Sequence, residues 1–296
     1  MDIKGFITEN RQRMLDELFD ILRIPSVSAD PAFAGDVRRC AEAVAQSLRR
    51  AGAINVEVIK TPGHPIVFGE YQTSVDAPTV LVYGHYDVQP PDPIDLWDNP
   101  AFEPIIKVTE KHPEGAIFAR GSCDDKGQMF MHVKALEAMV SKGDVPCNIK
   151  FIIEGEEEVG SSHLDDFIES NKDKLSADVV LVSDTGIFAN DTPSITVGLR
   201  GLSYVEVEVT GPNRDLHSGL YGGSAPNPIN ILAEMISSLK DEDQRITVDG
   251  FYDDVLELTS AEREAMARAP FSEETHKASI DIGAHEGESD YTPYER

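Results

Sequence analysis

The chain has 296 residues, of which 41% are hydrophobic and 27% are charged, a composition typical of a globular protein with one large or two smaller domains. Its formal net charge is −27, from 26 Lys and Arg against 53 Asp and Glu. This acidity disfavours nucleic acid and anionic membranes as partners, because both are bound through basic surfaces.

The N-terminal residues and the cysteines predict where the protein is located. Residues 1–19 have no apolar core with a basic flank and a small-residue cleavage site, so they are not typical of a secretory signal. No apolar run approaches the roughly 20 residues that span a bilayer. The three cysteines show no paired spacing, which indicates neither a disulfide framework nor a thiolate zinc site. A cytoplasmic protein is therefore expected.

Helices and strands alternate along the N-terminal part of the chain. Apolar residues at helical spacing predict helices over 6–24, 36–51 and 128–142. In the third helix, the side chains expected to face inward are Met131, Ala135, Leu136 and Met139. Runs rich in β-branched residues predict strands over 55–59, 65–71, 79–83, 148–153 and 177–182. Gly84 is expected to end the third strand. The alternation predicts an α/β fold, in which a mixed twisted sheet is flanked by helices.

The pattern changes in the C-terminal part of the chain. Residues 203–211 alternate strictly, with Tyr204 on the acidic face and valines on the other, which predicts a half-exposed antiparallel strand. Asn227 and Pro228 are a favourable cap and first residue for a following helix. We therefore expect two domains, 1–195 and 196–296, the second smaller and of α+β type.

Histidine and carboxylate side chains follow the predicted strands at the points where they end. The residues concerned are His85 and Asp87 after the third strand, Glu154, Glu156, Glu157 and Glu158 after the fourth, and Asp184 after the fifth. Asp124 and Asp125 precede the third helix. The carboxyl ends of parallel strands meet at one edge of a sheet, where α/β proteins bind ligands. Imidazole and carboxylate ligands suit zinc, manganese or cobalt, and a bridging carboxylate suits a pair of such ions.

Each of these motifs has a simpler explanation when it is taken alone. His85 in an HxD motif is compatible with an ordinary surface histidine, and the acidic run is compatible with a solvated turn. Asp124 and Asp125 could cap the following helix instead of binding an ion. The combination favours a metal site, because every ligand type is predicted to arrive at the same edge of one sheet.

Five separated motifs resemble those of a known superfamily. They are GHYDVQP, RGSCDDKG, EGEEEVG, SDTG and DLHSGLYGG, and in this order they resemble the dinuclear zinc aminoacylases, carboxypeptidases and dipeptidases. GHYDVQPPDPIDLW and DLHSG are most similar to the carnosinase-type dipeptidase branch. The resemblance implies a hydrolase that cleaves dipeptides or related amide bonds with two divalent metal ions, expected to be zinc, with manganese or cobalt as alternatives.

The resemblance also implies a role for each matching residue. His85 and Asp184 would bind one metal ion, Glu158 would bind the other, and Asp124 would bridge both. Glu157 would be the general base, and Asp87 would orient His85.

The second domain would be a lid through which a homodimer forms. Its His217 would stabilise the oxyanion in the partner subunit's site. Members of the superfamily continue beyond the segment that corresponds to residue 296 and supply a further metal-binding histidine there, so a C-terminally truncated member is expected. The alternatives are an N-acyl amino acid deacylase of the same superfamily and an inactive fragment that acts only in binding or dimerisation.

Overall fold

The computed structural model describes residues 3–187, 192–196, 198–199, 201–269, 272–292 and 295. The chain divides into two compact units, Met1–Ile187 (unit 1) and Phe188–Arg296 (unit 2). None of the described helices combines the length and the hydropathy needed to cross a bilayer.

Unit 1 contains a mixed sheet. Its strands are β1 (Ile54–Ile59), β2 (Ile66–Tyr71), β3 (Thr79–His85), β6 (Asn148–Glu154) and β7 (Val179–Val182), in the order β1-β2-β6-β3-β7. β3 runs parallel to both β6 and β7, whereas β2 is antiparallel to β1 and β6. A separate antiparallel pair is formed by β4 (Ile105–Lys107) and β5 (Ala116–Phe118). The predicted mixed α/β sheet is confirmed.

Helices cover both faces of this sheet. They are α1 (Ile3–Leu22), α2 (Ala34–Arg50), α3 (Lys126–Lys142), α4 (Leu164–Ser170) and α5 (Lys172–Leu175). On one face, α2 and α3 bury Val44 and Val133 against Phe151 of β6. On the other face, Phe167 and Leu175 from the two short helices pack against Ile152. β6 is therefore apolar on both sides, as central strands covered on both faces usually are.

Two details of unit 1 differ from the sequence-based expectations. Gly84 does not end β3, because Gly84 and His85 stay in parallel register with Ile153 and Glu154 of β6. The inward face of α3 was predicted only in part. Leu136 is buried and Met139 packs against the core as predicted, but Met131 is 54% exposed and Ala135 is exposed. The helix also buries Met129, Phe130 and Val133.

Unit 2 contains four helices among its described residues, α6 (Ser218–Tyr221), α7 (Pro228–Ser237), α8 (Ser260–Met266) and α9 (Glu273–Ile280). The predicted cap of α7 is confirmed, since Asn227 Oδ1 accepts a hydrogen bond from the Ile229 N–H at 2.9 Å. Residues 203–211 do not form the predicted strand. A strand needs a neighbour for its backbone hydrogen bonds, and the described part of unit 2 offers this segment none.

Candidate metal centre

His85 and Asp87 form the buried floor of the candidate centre. His85 is the last residue of β3, and both side chains are fully buried. Asp87 Oδ1 lies 3.3 Å from His85 Nδ1 and accepts a hydrogen bond from the Glu157 N–H, while its Oδ2 accepts from the Glu158 N–H at 3.2 Å. Nδ1 also lies 3.1 Å from the Asp87 backbone oxygen. Asp87 thus contacts both the imidazole and the acidic turn after β6, and such contacts are typical of metal-binding histidines.

Three carboxylates surround the other nitrogen of the His85 ring. Nε2 lies 3.1 Å from Asp124 Oδ1, 3.5 Å from Asp184 Oδ2 and 3.9 Å from Glu157 Oε2. These side chains come from three separate segments, namely the start of α3, the residues after β7 and the turn after β6. The predicted meeting of His85, Asp124, Glu157 and Asp184 at one edge of the sheet is therefore confirmed.

Glu158 completes the cluster from the turn after β6. The potential ligand atoms form two groups, and within each group all of these atoms lie within 4.8 Å of one another. One group contains His85, Asp124 and Glu158, and the other contains His85, Glu157 and Asp184. Gln89 donates hydrogen bonds to the Glu158 carboxylate from its side chain at 2.7 Å and from its backbone N–H at 3.2 Å. Gln89 lies in the motif that carries His85, and its contact with Glu158 was not predicted from the sequence.

The remaining glutamates of the acidic run have partners elsewhere. Glu154 lies inside β6 rather than after it, and its Oε1 accepts hydrogen bonds from the hydroxyls of Tyr83 and Ser161 at 2.7 and 2.9 Å. Glu156 lies 2.9 Å from His163 Nδ1. The run EGEEEVG is therefore divided by the fold, and only Glu157 and Glu158 reach the cluster.

Asp125 is a buried component of the site that sequence reasoning did not assign. Its Oδ2 accepts a hydrogen bond from the His85 N–H at 2.9 Å, and its side chain is nearly inaccessible. Its Oδ1 is buried without a hydrogen-bond partner among the described residues. A Cβ at Gly84 would lie only 2.7 Å from Asp125 Oδ2. Glycine at position 84 therefore makes room for this carboxylate. Gly84 was the feature of the sequence that could have indicated Asp125 as part of the site.

The electrostatics of the cluster are those of crowded carboxylates around an imidazole. Burial alone would lower the pKa of His85, but the hydrogen bond and charge of Asp87, with the charges of Asp125 and Glu157, raise it to about 10. Burial raises the pKa of Asp125 to about 7. Burial also raises the pKa values of Glu157 and Glu158, and neighbouring carboxylates raise them further.

These residues fit a divalent metal ion. Carboxylates resist losing their protons when like charges lie nearby, and a cation among them removes that penalty. The imidazole and carboxylate oxygens are suitable ligands for such an ion, and the Asp87 and Gln89 contacts supply the hydrogen bonds that orient ligands in metal sites. The cluster at the carboxyl ends of β3, β6 and β7 is therefore compatible with a metal site.

His217 lies in unit 2, where it is exposed at the N-terminus of α6. Its Nδ1 accepts a hydrogen bond from the Gly219 N–H at 3.0 Å. A cavity of about 860 Å³ adjoins it, and the polar side chains of Arg214, Tyr221 and Asn230 are among the lining residues. The catalytic role predicted for His217 stays a prediction.

Comparison with known proteins agrees with this geometry. The family model described as peptidase family M20/M25/M40 matches residues 81–290, a range that contains the whole cluster. The chain belongs to peptidase family M20/M25/M40. The predicted superfamily is thereby confirmed.

Several relatives of this M20 chain are dipeptidases. It is 35% identical over 268 residues to the Cys-Gly metallodipeptidase dug1 of Schizosaccharomyces pombe, covering 86% of this chain and 55% of the relative. It is 36% identical over 250 residues to the human Beta-Ala-His dipeptidase, covering 80% and 48%. The predicted affinity with the carnosinase-type branch agrees with these relatives.

A solved structure supports the same relationship. The dipeptidase Dug1p of Saccharomyces cerevisiae matches this M20 chain with a TM-score of 0.74 and 28% sequence identity, covering 96% of this chain and 61% of that one. The chain thus spans about half the length of the curated relatives it matches.

Proposed function

We propose that this chain carries the catalytic residues of a metal-dependent hydrolase that cleaves dipeptides. The observation that carries the proposal is the convergence of His85, Asp124, Glu158 and Asp184, with Glu157 beside them, at one edge of the sheet. The dipeptidases among the relatives support dipeptides, rather than N-acyl amino acids, as the substrate class.

In this proposal, His85, Asp124, Glu158 and Asp184 would hold two divalent metal ions, zinc or alternatively manganese or cobalt. The bound metal would polarise the scissile carbonyl and lower the pKa of a bound water. Asp87 keeps the Nε2 atom of His85 directed at the carboxylates through its contact with Nδ1.

Glu157 is the general base of the proposed reaction. Its carboxylate is partly exposed, with 37% of the side chain accessible, and lies 3.9 Å from His85 Nε2. From this position it would take a proton from the attacking water and then pass it to the leaving amine. A carboxylate whose pKa is raised toward neutrality is suited to both steps. His217 would donate a hydrogen bond to the oxyanion that develops on the scissile carbonyl in the partner subunit's site.

Unit 2 is proposed to be the lid and the homodimer contact. Small peptides are the proposed partners, and the cytoplasmic location expected from the sequence stays a prediction. Because the chain covers about half of its relatives, a non-catalytic binding or dimerisation module is the alternative to be tested directly.

The test is turnover by the zinc-loaded chain with Cys-Gly and Beta-Ala-His as dipeptides and N-acetylated amino acids as competitors. Glu157→Gln should lower kcat by about 10²- to 10⁴-fold without lowering metal content, because Glu157 acts on protons and is not assigned as a ligand. Glu169→Gln, at an exposed carboxylate of α4, is the matched control and should keep wild-type turnover.

Each other outcome has a definite meaning. Turnover restricted to N-acetylated amino acids would establish the deacylase alternative. A chain that binds two metal ions and turns over neither substrate class would be the non-catalytic module, and the dipeptidase proposal would be wrong for it.

A further inference from the structure

Asp184 follows β7, a strand whose four residues are all exposed to solvent. β7 pairs only with β3 among the described strands, and its four residues are 39–60% exposed. Asp184 nevertheless lies 3.5 Å from His85 Nε2. The position of this carboxylate therefore needs a support that β7 itself does not supply.

That support comes from His132 on α3. His132 Nε2 lies 2.8 Å from the hydroxyl of Ser183, the residue directly before Asp184. Among the described residues, His132 is the one side chain outside the cluster that is hydrogen-bonded to residues 183–187. Within the segment, the Thr185 N–H donates to the Ser183 carbonyl at 2.8 Å, which gives a local turn but no anchor to the rest of the fold.

α3 is a rigid support for such an anchor. It packs against α1, α2 and β3 and buries Met129, Phe130 and Val133 on either side of His132 in sequence. The same helix begins directly after Asp124 and Asp125. The helix thus follows Asp124 directly along the chain, and through His132 it contacts Ser183, the neighbour of Asp184.

The imidazole of His132 is suited to a structural hydrogen bond. Burial lowers its pKa, so the ring is neutral at physiological pH and offers both a donor and an acceptor. It therefore adds no positive charge that would compete with a bound cation.

We propose that His132 is a positioning residue that acts through Ser183 to hold Asp184 in the metal-binding geometry. The inference rests on the proposed function, since it assumes that Asp184 binds metal. Without the hydrogen bond, the segment after β7 would sample other positions, and binding would have to restrict it again at an entropic cost.

The experiment measures the affinity of the 296-residue chain for Zn²⁺ by competition with a chromophoric chelator. His132→Leu removes the hydrogen bond at similar size, and Ser183→Ala removes its partner. Each should weaken Zn²⁺ binding about tenfold, the lower range for residues that orient metal ligands. The double variant should be no weaker than either single variant, because both changes break the same interaction.

His132→Gln is the conservative variant, because its amide can reach the Ser183 hydroxyl. It should restore most of the affinity lost in His132→Leu. The absorption spectrum of the Co²⁺ form gives a second readout, in which His132→Leu should alter the ligand-field bands and His132→Gln should keep them. Thermal unfolding of the metal-free variants identifies any loss that comes from misfolding.

Asp124→Asn separates the failure of this inference from the failure of the proposed function. If the wild type binds Zn²⁺ no better than Asp124→Asn, both the metal centre and the positioning role are wrong. If the wild type binds much better but His132→Leu equals the wild type, only the positioning role is wrong. Additive losses in the double variant would also overturn it, because His132 and Ser183 would then act independently.

Discussion

β3 and β7 are parallel neighbours in one sheet, and each leads directly to residues of the candidate centre, yet their surroundings differ. β3 is an interior strand, and both His85 at its end and Asp87 just after it are fully buried. β7 is an exposed edge strand among the described strands, and Asp184 follows it with 29% of its side chain accessible. The difference suggests that the β3 half of the site is part of the folded core, whereas the β7 half depends on a single anchor. Changes at β3 should therefore affect stability as well as binding.

The largest effect is expected from Asp87→Ala. This change leaves the Glu157 and Glu158 N–H groups and His85 Nδ1 without the carboxylate that now faces them. Since it breaks a buried charged interaction, it should lower the free energy of unfolding by about 3–5 kcal/mol. Urea unfolding of the metal-free protein measures this loss. Asp184→Asn is the comparison on the β7 side and should change stability by less than about 0.5 kcal/mol. Equal losses would remove the distinction between the two halves.

An intermediate effect is expected from Gly84→Ala. The added Cβ would lie 2.7 Å from Asp125 Oδ2 and 3.2 Å from Met129 Cβ, and such overpacking should cost about 1–3 kcal/mol. The matched control is Gly186→Ala after β7, where a Cβ would meet no atom within 4 Å. Chemical denaturation of both variants should show a loss only for Gly84→Ala. A Gly84→Ala protein as stable as Gly186→Ala would show that the β3 end is not tightly packed.

The smallest effect is expected in the pH dependence of stability that comes from His132, which contacts Ser183 after β7. Burial lowers the pKa of folded His132 below its ordinary value of 6.5, so the unfolded chain takes up this proton at higher pH than the folded protein. The contribution of neutral His132 to the free energy of unfolding is therefore fully present above about pH 6.5. It is lost as the pH falls toward the folded pKa, by at most about 1.4 kcal/mol per pH unit.

Urea unfolding at pH 7 and pH 5.5 measures this contribution. The wild type should lose more stability than His132→Gln, which has no titrating ring. The same pH dependence in both proteins would contradict the burial of a neutral His132.

Most helices and strands of unit 1 could be predicted, because their signals are local. Apolar spacing located α1 and α2 of unit 1. In unit 2, the cap at Asn227 located α7 even though that helix buries no residue completely. The segment at 203–211 has an equally regular pattern and forms no strand. A helix satisfies most of its hydrogen bonds within itself, whereas a strand depends on a neighbour that its own residues do not specify.

The types and order of the site residues His85, Asp124, Glu157, Glu158 and Asp184 could be predicted from the amino-acid sequence, because side-chain chemistry is local. Their placement at strand ends or, for Asp124, before a helix could also be predicted, because the signals of strands and helices are local too. Which glutamates of the acidic run face the cluster, and which have partners elsewhere, depends on the packing of the folded chain. The tertiary structure also brings Asp125 Oδ2 to the His85 N–H and His132 Nε2 to the Ser183 hydroxyl. These contacts join residues that are distant along the chain, so they exist only after α3 has packed against the sheet.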